Sequence, residues 1–199
     1  MLNRYFPEGL ALLYALLFLA LGWQVADRTV WYAEVTPLLA TYALLLLTAK
    51  AFRFSNLSYL CFFVPLLWHA IGAHYTFSLV PLDWLTGPLG LDRNPYDRIG
   101  HFLVGLFAVP IVELLLRRRL CGPWLAALFA FFAISTVAAL YEVIEWAYAA
   151  LEGGDAGISF LGAQGDPWDA QKDMLADMLG AALTLLLYLA SGTYRRSVP

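Results

Sequence analysis

The chain has 199 residues, 61% of them hydrophobic and 14% charged, with a formal net charge of −3. A soluble domain carries roughly 45–50% apolar and 25% charged residues, so a soluble globular reading is excluded. No basic stretch interleaved with aromatics is present, which argues against nucleic acid as a partner. The length suits one integral membrane domain over residues 1–199.

A membrane-spanning helix needs about 20 mostly apolar residues, with a range of about 17–25, and six stretches qualify. The first, Gly9–Ala26, follows Arg4; no small-x-small cleavage site comes after it, so it reads as an uncleaved span and not a signal peptide. The second is Thr36–Phe52. The third, Leu57–Tyr75, carries His69 and His74 in its later half. A long connection from Thr76 to Arg98 follows, with Pro81, Pro88 and Pro95 in it. The fourth span is Ile99–Leu116 and the fifth Trp124–Ala149. A second long connection, EGGDAGISFLGAQGDPWDAQK, leads to the sixth, Asp173–Ala190. That last span opens on acidic residues, but its remainder, LGAALTLLLYLA, is strongly apolar. The expected fold class is therefore all-α, a polytopic transmembrane bundle of about six helices.

Arg4, then Lys50 and Arg53, then Arg117, Arg118 and Arg119, then Arg195 and Arg196 fall on alternate connections and at both termini. Six spans put all of them on one side, and basic residues in short loops mark the cytoplasmic side. The expected topology is N-in/C-in, with two long extracytoplasmic loops. The opposite connections are mixed or acidic, with Asp27, Arg28 and Glu34 read as loop residues in the first. Trp23, Trp31, Trp84, Trp146 and Trp168 fall at outer ends and Trp124 at the inner face, as interfacial rings do. Cys61 and Cys121 have no metal-ligand spacing and lie toward the cytoplasmic side, so no structural disulfide is expected.

Ionisable side chains are costly within a bilayer and mark function by default. His69 and His74 lie in the outer half of the third span. Asp97 and His101 form an i,i+4 pair where the fourth begins. Glu142 and Glu145, in YEVIEW, sit near the outer end of the fifth, and Asp169, Asp173 and Asp177 follow at helical spacing into the sixth. Each spacing alone is a weak signal; the common depth of all of them is the informative part. Histidines and carboxylates from facing helices suit zinc or another divalent metal. Ordinary roles compete: His69 as an interhelical hydrogen-bonding group, Asp97 with Arg98 as an ion pair, Asp173 and Lys172 as a helix cap. Glu152, Asp155 and Asp92 read as solvated loop charges. Glu113, about 18 Å deeper than His101 at 1.5 Å per residue, reads as an i,i+4 partner of Arg117 and not as part of the outer set.

The segments NPYDRIGHF, YEVIEW and FLGAQGDPWDAQKDMLADMLGA resemble the YjdF-like family of bacterial inner-membrane proteins, a domain of unknown function, along nearly the whole chain. The resemblance implies a fold and an inner-membrane location, and no reaction. It marks His69, His74, Asn94, Asp97, Arg98, His101, Glu113, Glu142, Glu145, Gln164, Asp166, Asp169, Gln171, Asp173 and Asp177 as the characteristic polar positions. A shorter similarity is to VanZ-like proteins, matched by Asp97, His101, Glu142, Glu145, Asp169, Asp173 and Asp177; the glycopeptide-resistance role of some of them is not transferred.

The expectation is a metal-dependent membrane-embedded hydrolase or lipid- or envelope-modifying enzyme. His69, His74, His101, Asp173 and Asp177 are the candidate metal ligands; Glu142, Glu145 and Asp97 are the candidate catalytic groups. The expected partners are the bilayer and a lipid or envelope substrate. A proton- or cation-coupled transporter or channel is the alternative, although no inverted repeat with broken helices is visible. A structural or regulatory membrane protein is a third.

Overall fold

The computed structural model describes residues 5–197; Arg4 lies outside them, as does the side chain of Arg196. The described chain is helical throughout, in the order α1 Phe6–Leu21, α2 Arg28–Thr48, α3 Asn56–Tyr75, α4 Asp83–Leu89, α5 Tyr96–Val104, α6 Ala108–Arg117, α7 Pro123–Glu152, α8 Gly154–Leu161 and α9 Asp169–Ala190. A 3-10 turn over Gly105–Phe107 joins α5 to α6. Taken together as Tyr96–Arg117, that pair is one of five helical stretches long and apolar enough to cross a membrane, the others being α2, α3, α7 and α9. Helix α1 is apolar but shorter, at 16 residues, or about 24 Å at 1.5 Å per residue.

Two expected boundaries are corrected. The first helix stops at Leu21 and not near Ala26, because Gln24 turns with φ 52°. The second begins at Arg28, well before Thr36. Asp27 accepts from the N–H groups of Thr29 and Val30 at 2.8 and 3.0 Å, capping that earlier start. Glu34 is therefore no loop charge: it sits inside α2 and is 3% exposed.

The helix ends sort into two polar surfaces. At one, Arg53 pairs with Glu8 at the start of α1, and Arg117 and Arg118 donate to the carbonyls of Arg53 and Ala51. Both of these arginines also cover the ring of Phe52. At the other, His74 Nδ1 donates to the Leu21 carbonyl at 2.7 Å, so α1 reaches both ends despite its length. The two long connections lie here too, holding the short helices α4 and α8. Trp23, Trp84, Trp146 and Trp168 are exposed at this acidic end and Trp124 at the basic end, which suits rings placed at two interfaces. Cys61 and Cys121 are both free thiols.

Glu113 organises the basic end. It is 1% exposed and accepts from the Ser55 N–H at 2.8 Å, from the hydroxyls of Ser55 and Ser58, and from Arg117 at 2.7 Å. The i,i+4 pair with Arg117 is present, and the same carboxylate also satisfies the start of α3.

The packing falls into two apolar clusters. One joins α3, α6, α7 and α9 through small residues such as Ala108, Ala126, Ala130 and Ala181; the other joins α1, α2 and α3 through Tyr14, Leu38, Leu66 and Ala70. The tightest contact is between α5 and α9. A Cβ on Gly180 would lie 2.0 Å from the Phe102 carbonyl oxygen, and one on Gly105 would lie 2.1 Å from the Gly180 backbone. Within a membrane, such small residues are what allow backbones to meet and dispersion to hold them. Pro110, which leaves the Leu106 carbonyl without its helical donor, sits just beyond this crossing and accounts for the 3-10 turn.

Gly180→Ala is expected to destabilise the bundle by about 1–3 kcal/mol or more, since the obstacle is backbone and cannot swing aside. Thermal unfolding in detergent measures this, with Gly87→Ala, where a Cβ meets nothing within 4 Å, as the comparison. Glu113→Ala is expected to lower the unfolding temperature more than Arg117→Ala, because the former strands three donors around a buried position whereas Arg117 is 38% exposed.

Candidate functional site

Helices α5 and α9 both run from the acidic end toward the basic end, and their glycine crossing sets them in register. Counting back from Gly105, His101, Arg98 and Asp97 lie four, seven and eight residues toward the acidic end. Counting back from Gly180, Asp177, Asp173 and Asp169 lie three, seven and eleven residues the same way. The two ladders therefore face each other rung by rung.

The result is a specific pairing. His101 Nδ1 meets Asp177 Oδ2 at 2.8 Å. Arg98 donates to both Asp173 and Asp169, and Arg93 also donates to Asp169. Arg98 thus pairs across to α9, and the expected Asp97–Arg98 pair is not formed. Lys172 turns outward to Asp166 at 2.6 Å and does not cap α9 beside Asp173. That ammonium, with the Trp168 N–H, holds the partly buried Asp166 carboxyl below the usual carboxylate range. The contact is therefore complete above that range and is lost as pH falls through the lowered value.

Three ligand-type side chains come together closely. Asp97, His101 and Asp173 each offer an atom within 4.8 Å of the others. With Nδ1 directed at the Asp177 carboxylate, the other ring nitrogen of His101 points toward Asp97 Oδ1 and Glu142 Oε1, each at 3.7 Å. One ring nitrogen is thereby held by a carboxylate while the other is turned toward Asp97 and Glu142, and ligating histidines are commonly oriented by such a carboxylate partner. Glu142 Oε1 and Asp177 Oδ1 are buried and have no hydrogen-bond partner. Asp97, Glu142, Asp173 and Asp177 surround one imidazole, with Arg98 shared between Asp173 and Asp169, so balance requires protons or a cation.

The other expected ligands lie elsewhere. His74 is turned to the Leu21 carbonyl between α1 and α2, away from this group. His69 meets Glu34 through Nε2, with Oε2 at 3.0 Å, and Tyr141 donates its hydroxyl to the same oxygen at 3.1 Å. Glu34, His69 and Tyr141 form a second polar group joining α2, α3 and α7, and Asp177 stands behind His101 and not in the close triad. Glu34 and Tyr141 escaped the sequence reading. The cap signal at Asp27, immediately before a long apolar run, was the clue that α2 extends back to include Glu34.

A cavity of about 180 Å³ connects the two groups. Asp97, His101 and Asp177 line it from α5 and α9, Tyr141 and Glu145 from α7, and Glu34 and His69 from α2 and α3, with Ser159, Phe160 and Gly162 from α8 and its C-terminal end beside them. The long connections close over the acidic end. Asn94 N–H donates to Gln164 Oε1 at 2.9 Å and the Gln164 amide donates back to the Asn94 carbonyl at 3.1 Å. The Asn94 amide also holds the Ser78 and Val80 carbonyls, which ties the first connection to itself. Gly162, at φ +64°, brings the backbone close to Asp97: a Cβ there would lie 3.5 Å from its Oδ2.

Arg98→Met is expected to cost about 3–5 kcal/mol, the usual penalty of stranding one side of a buried ion pair. Adding Asp169→Asn and Asp173→Asn to the same chain is expected to restore most of it. Unfolding temperatures of the single and triple variants check this; equal temperatures for the two would contradict the pairing.

The similarities to known proteins agree with this architecture. The family model described as a predicted membrane protein, DUF2238, matches residues 6–193. The inner membrane protein YjdF of Escherichia coli (strain K12) is 37% identical over 187 residues, covering 90% of this chain and 87% of that protein. No solved structure matches. The expected likeness to VanZ-like proteins is not shown by these matches. An integral membrane bundle matched along almost its whole length in this way belongs to the DUF2238 family of predicted membrane proteins.

Proposed function

We propose that this protein is a metal-dependent enzyme of the cytoplasmic membrane that carries out hydrolysis or a related modification of a lipid or envelope substrate at its acidic end. The observation that carries the reading is the oriented imidazole: His101, with Nδ1 engaged by Asp177 and Nε2 facing Asp97 and Glu142, beside Asp173. Asp97, His101 and Asp173 would hold a divalent cation such as zinc, with Asp177 fixing the ring. When bound, the cation would supply Lewis-acid activation of water and of a substrate oxygen.

The remaining roles follow from position. Glu142, with a buried and unpartnered oxygen near His101 Nε2, is the candidate general base. Glu145 lines the cavity without touching the triad and suits a proton acceptor on the substrate side. Tyr141 and His69, both engaged with Glu34, give the cavity a second polar group beside the first. Arg98 and Arg93 hold the α9 carboxylates in place.

The acidic end would face outward. Supporting this, Arg53, Arg117 and Arg118 cluster at the opposite end, as cytoplasmic loops do; a reporter fused to the C-terminus tests it, being active only in the cytoplasmic compartment. A proton- or cation-coupled carrier needs a polar path to that opposite end. Against such a path, the cavity walls below the site are Val104, Phe107, Leu66 and Ala138, and Glu113 is fully engaged in its own contacts.

Elemental analysis of the purified protein under metal-replete conditions tests the enzyme reading. Wild type is expected to hold about one zinc or comparable ion per chain, His101→Ala none, and Asp177→Asn to bind about 10–100-fold more weakly. Glu142→Gln is expected to keep the metal. A wild type without metal sinks the proposal, and cation-driven flux into liposomes abolished by Glu142→Gln would put the carrier reading in its place.

A further inference from the structure

On four of the helices that line the cavity, the lining changes from polar to mostly apolar in the same direction. On α2 it passes from Glu34 to Pro37, Leu38 and Thr41; on α3, from His69 to Leu66 and Pro65. From Asp97 and His101 on α5 it passes to Val104 and to Phe107 of the 3-10 turn, and on α7 from Glu145 and Tyr141 to Ala138 and Val137. The seven to ten residues between the first and last positions on α2 and α5 correspond to about 10–15 Å along the axis at 1.5 Å per residue. The cavity is thus an amphipathic slot whose apolar end points into the membrane-spanning part of the bundle.

The slot is also open sideways. Helix α2 packs on α3 and α8, whereas α7 packs on α6, α8 and α9, so α2 and α7 form opposite walls bridged by the Tyr141–Glu34 hydrogen bond near the polar end. Below that bridge, Pro37 on α2 and Val137 on α7 both line the slot and are exposed on the outer surface of the bundle, Val137 by 55%. At the acidic end the opposite is true: α8 and the Asn94–Gln164 clasp cover the approach.

We infer that the slot between α2 and α7 is a lateral portal for a bilayer lipid. One acyl chain enters past Pro37, Thr41 and Val137 and lies against Leu38, Leu66 and Phe107, and the ester or phosphoryl end reaches the polar groups around His101 and Glu34. This deepens the enzyme reading and rests on it for the reacting centre, though the lipid site stands on the slot's own geometry. A polar wall favours the headgroup end of an amphiphile and an apolar wall its chain, and both occur here in one continuous cavity. A volume of about 180 Å³ is too small for a whole lipid, so only a chain segment and the linkage beside it lie inside while the rest stays in the leaflet.

The test equilibrates purified protein with vesicles of phosphatidylethanolamine and phosphatidylglycerol, extracts it into mild detergent, and counts retained phospholipid and chain number by native mass spectrometry, with metal content measured on the same samples. Wild type is expected to be retained with one phospholipid per chain. Val137→Trp and Thr41→Trp, which obstruct the mouth from its two sides, are expected to lower occupancy at least tenfold and leave metal content unchanged. Val143→Trp, on an exposed part of α7 outside the slot, is expected to retain the lipid. Wild type without lipid, equal retention in both mouth variants, or a lipid-free dimer that covers the α2–α7 face with a second copy would each overturn the portal. Lipid retained and lost as expected in a protein that binds no metal would leave the portal standing and remove the enzyme reading.

Discussion

The acidic site depends on the contact of two helix backbones. Gly105 and Gly180 allow α5 and α9 to approach until their main chains touch, and any side chain at either position would meet backbone. Because the two helices run in the same direction from that point, residues at similar distances from it end up opposite one another. His101 finds Asp177, and Arg98 finds Asp173 and Asp169. A crossing held by dispersion thereby positions charged groups whose own interactions could not have done so cheaply, since each must be paired as soon as it leaves water.

The two polar ends of the bundle solve that burial problem in different ways. At the basic end, Glu113 is saturated by Ser55, Ser58 and Arg117, which makes it a structural carboxylate. At the acidic end, Arg98 and Arg93 satisfy Asp169 and Asp173, but Glu142 and Asp177 each retain a buried oxygen without a partner. Satisfied networks stiffen a fold, and unsatisfied ones are kept at a cost that a ligand or a proton can relieve. This contrast separates the acidic end, where Arg93 also keeps two buried nitrogens unpartnered, from the saturated Glu113.

The roof and the slot give the site its direction of access. Asn94 and Gln164 exchange amide hydrogen bonds between the two long connections, and α8 lies against the cavity above Asp97. Between α2 and α7, below the Tyr141–Glu34 hydrogen bond, the cavity walls are mostly apolar, and the portal inferred above lies there.

Hydropathy was enough to establish the helical bundle, with five helical stretches long enough to cross a membrane beside the shorter α1, and helical spacing brought His69, His101, Asp97, Glu142, Glu145 and the α9 aspartates to one end of it. These properties follow from composition along the chain, because a bilayer demands a certain apolar length and interfaces attract certain residues. Membership of the site was another matter. His69 and His101 lie at one depth but on different walls, with Glu34 claiming the first and Asp177 the second; His74 is at the same end and faces away. The rotation of each helix about its axis decides such partnerships, and it is set by packing against neighbours, above all by the glycine contact of α5 with α9. That contact depends on residues 75 positions apart in the chain, so no local pattern in the sequence could express it, and only the tertiary structure decided which carboxylates His101 would face.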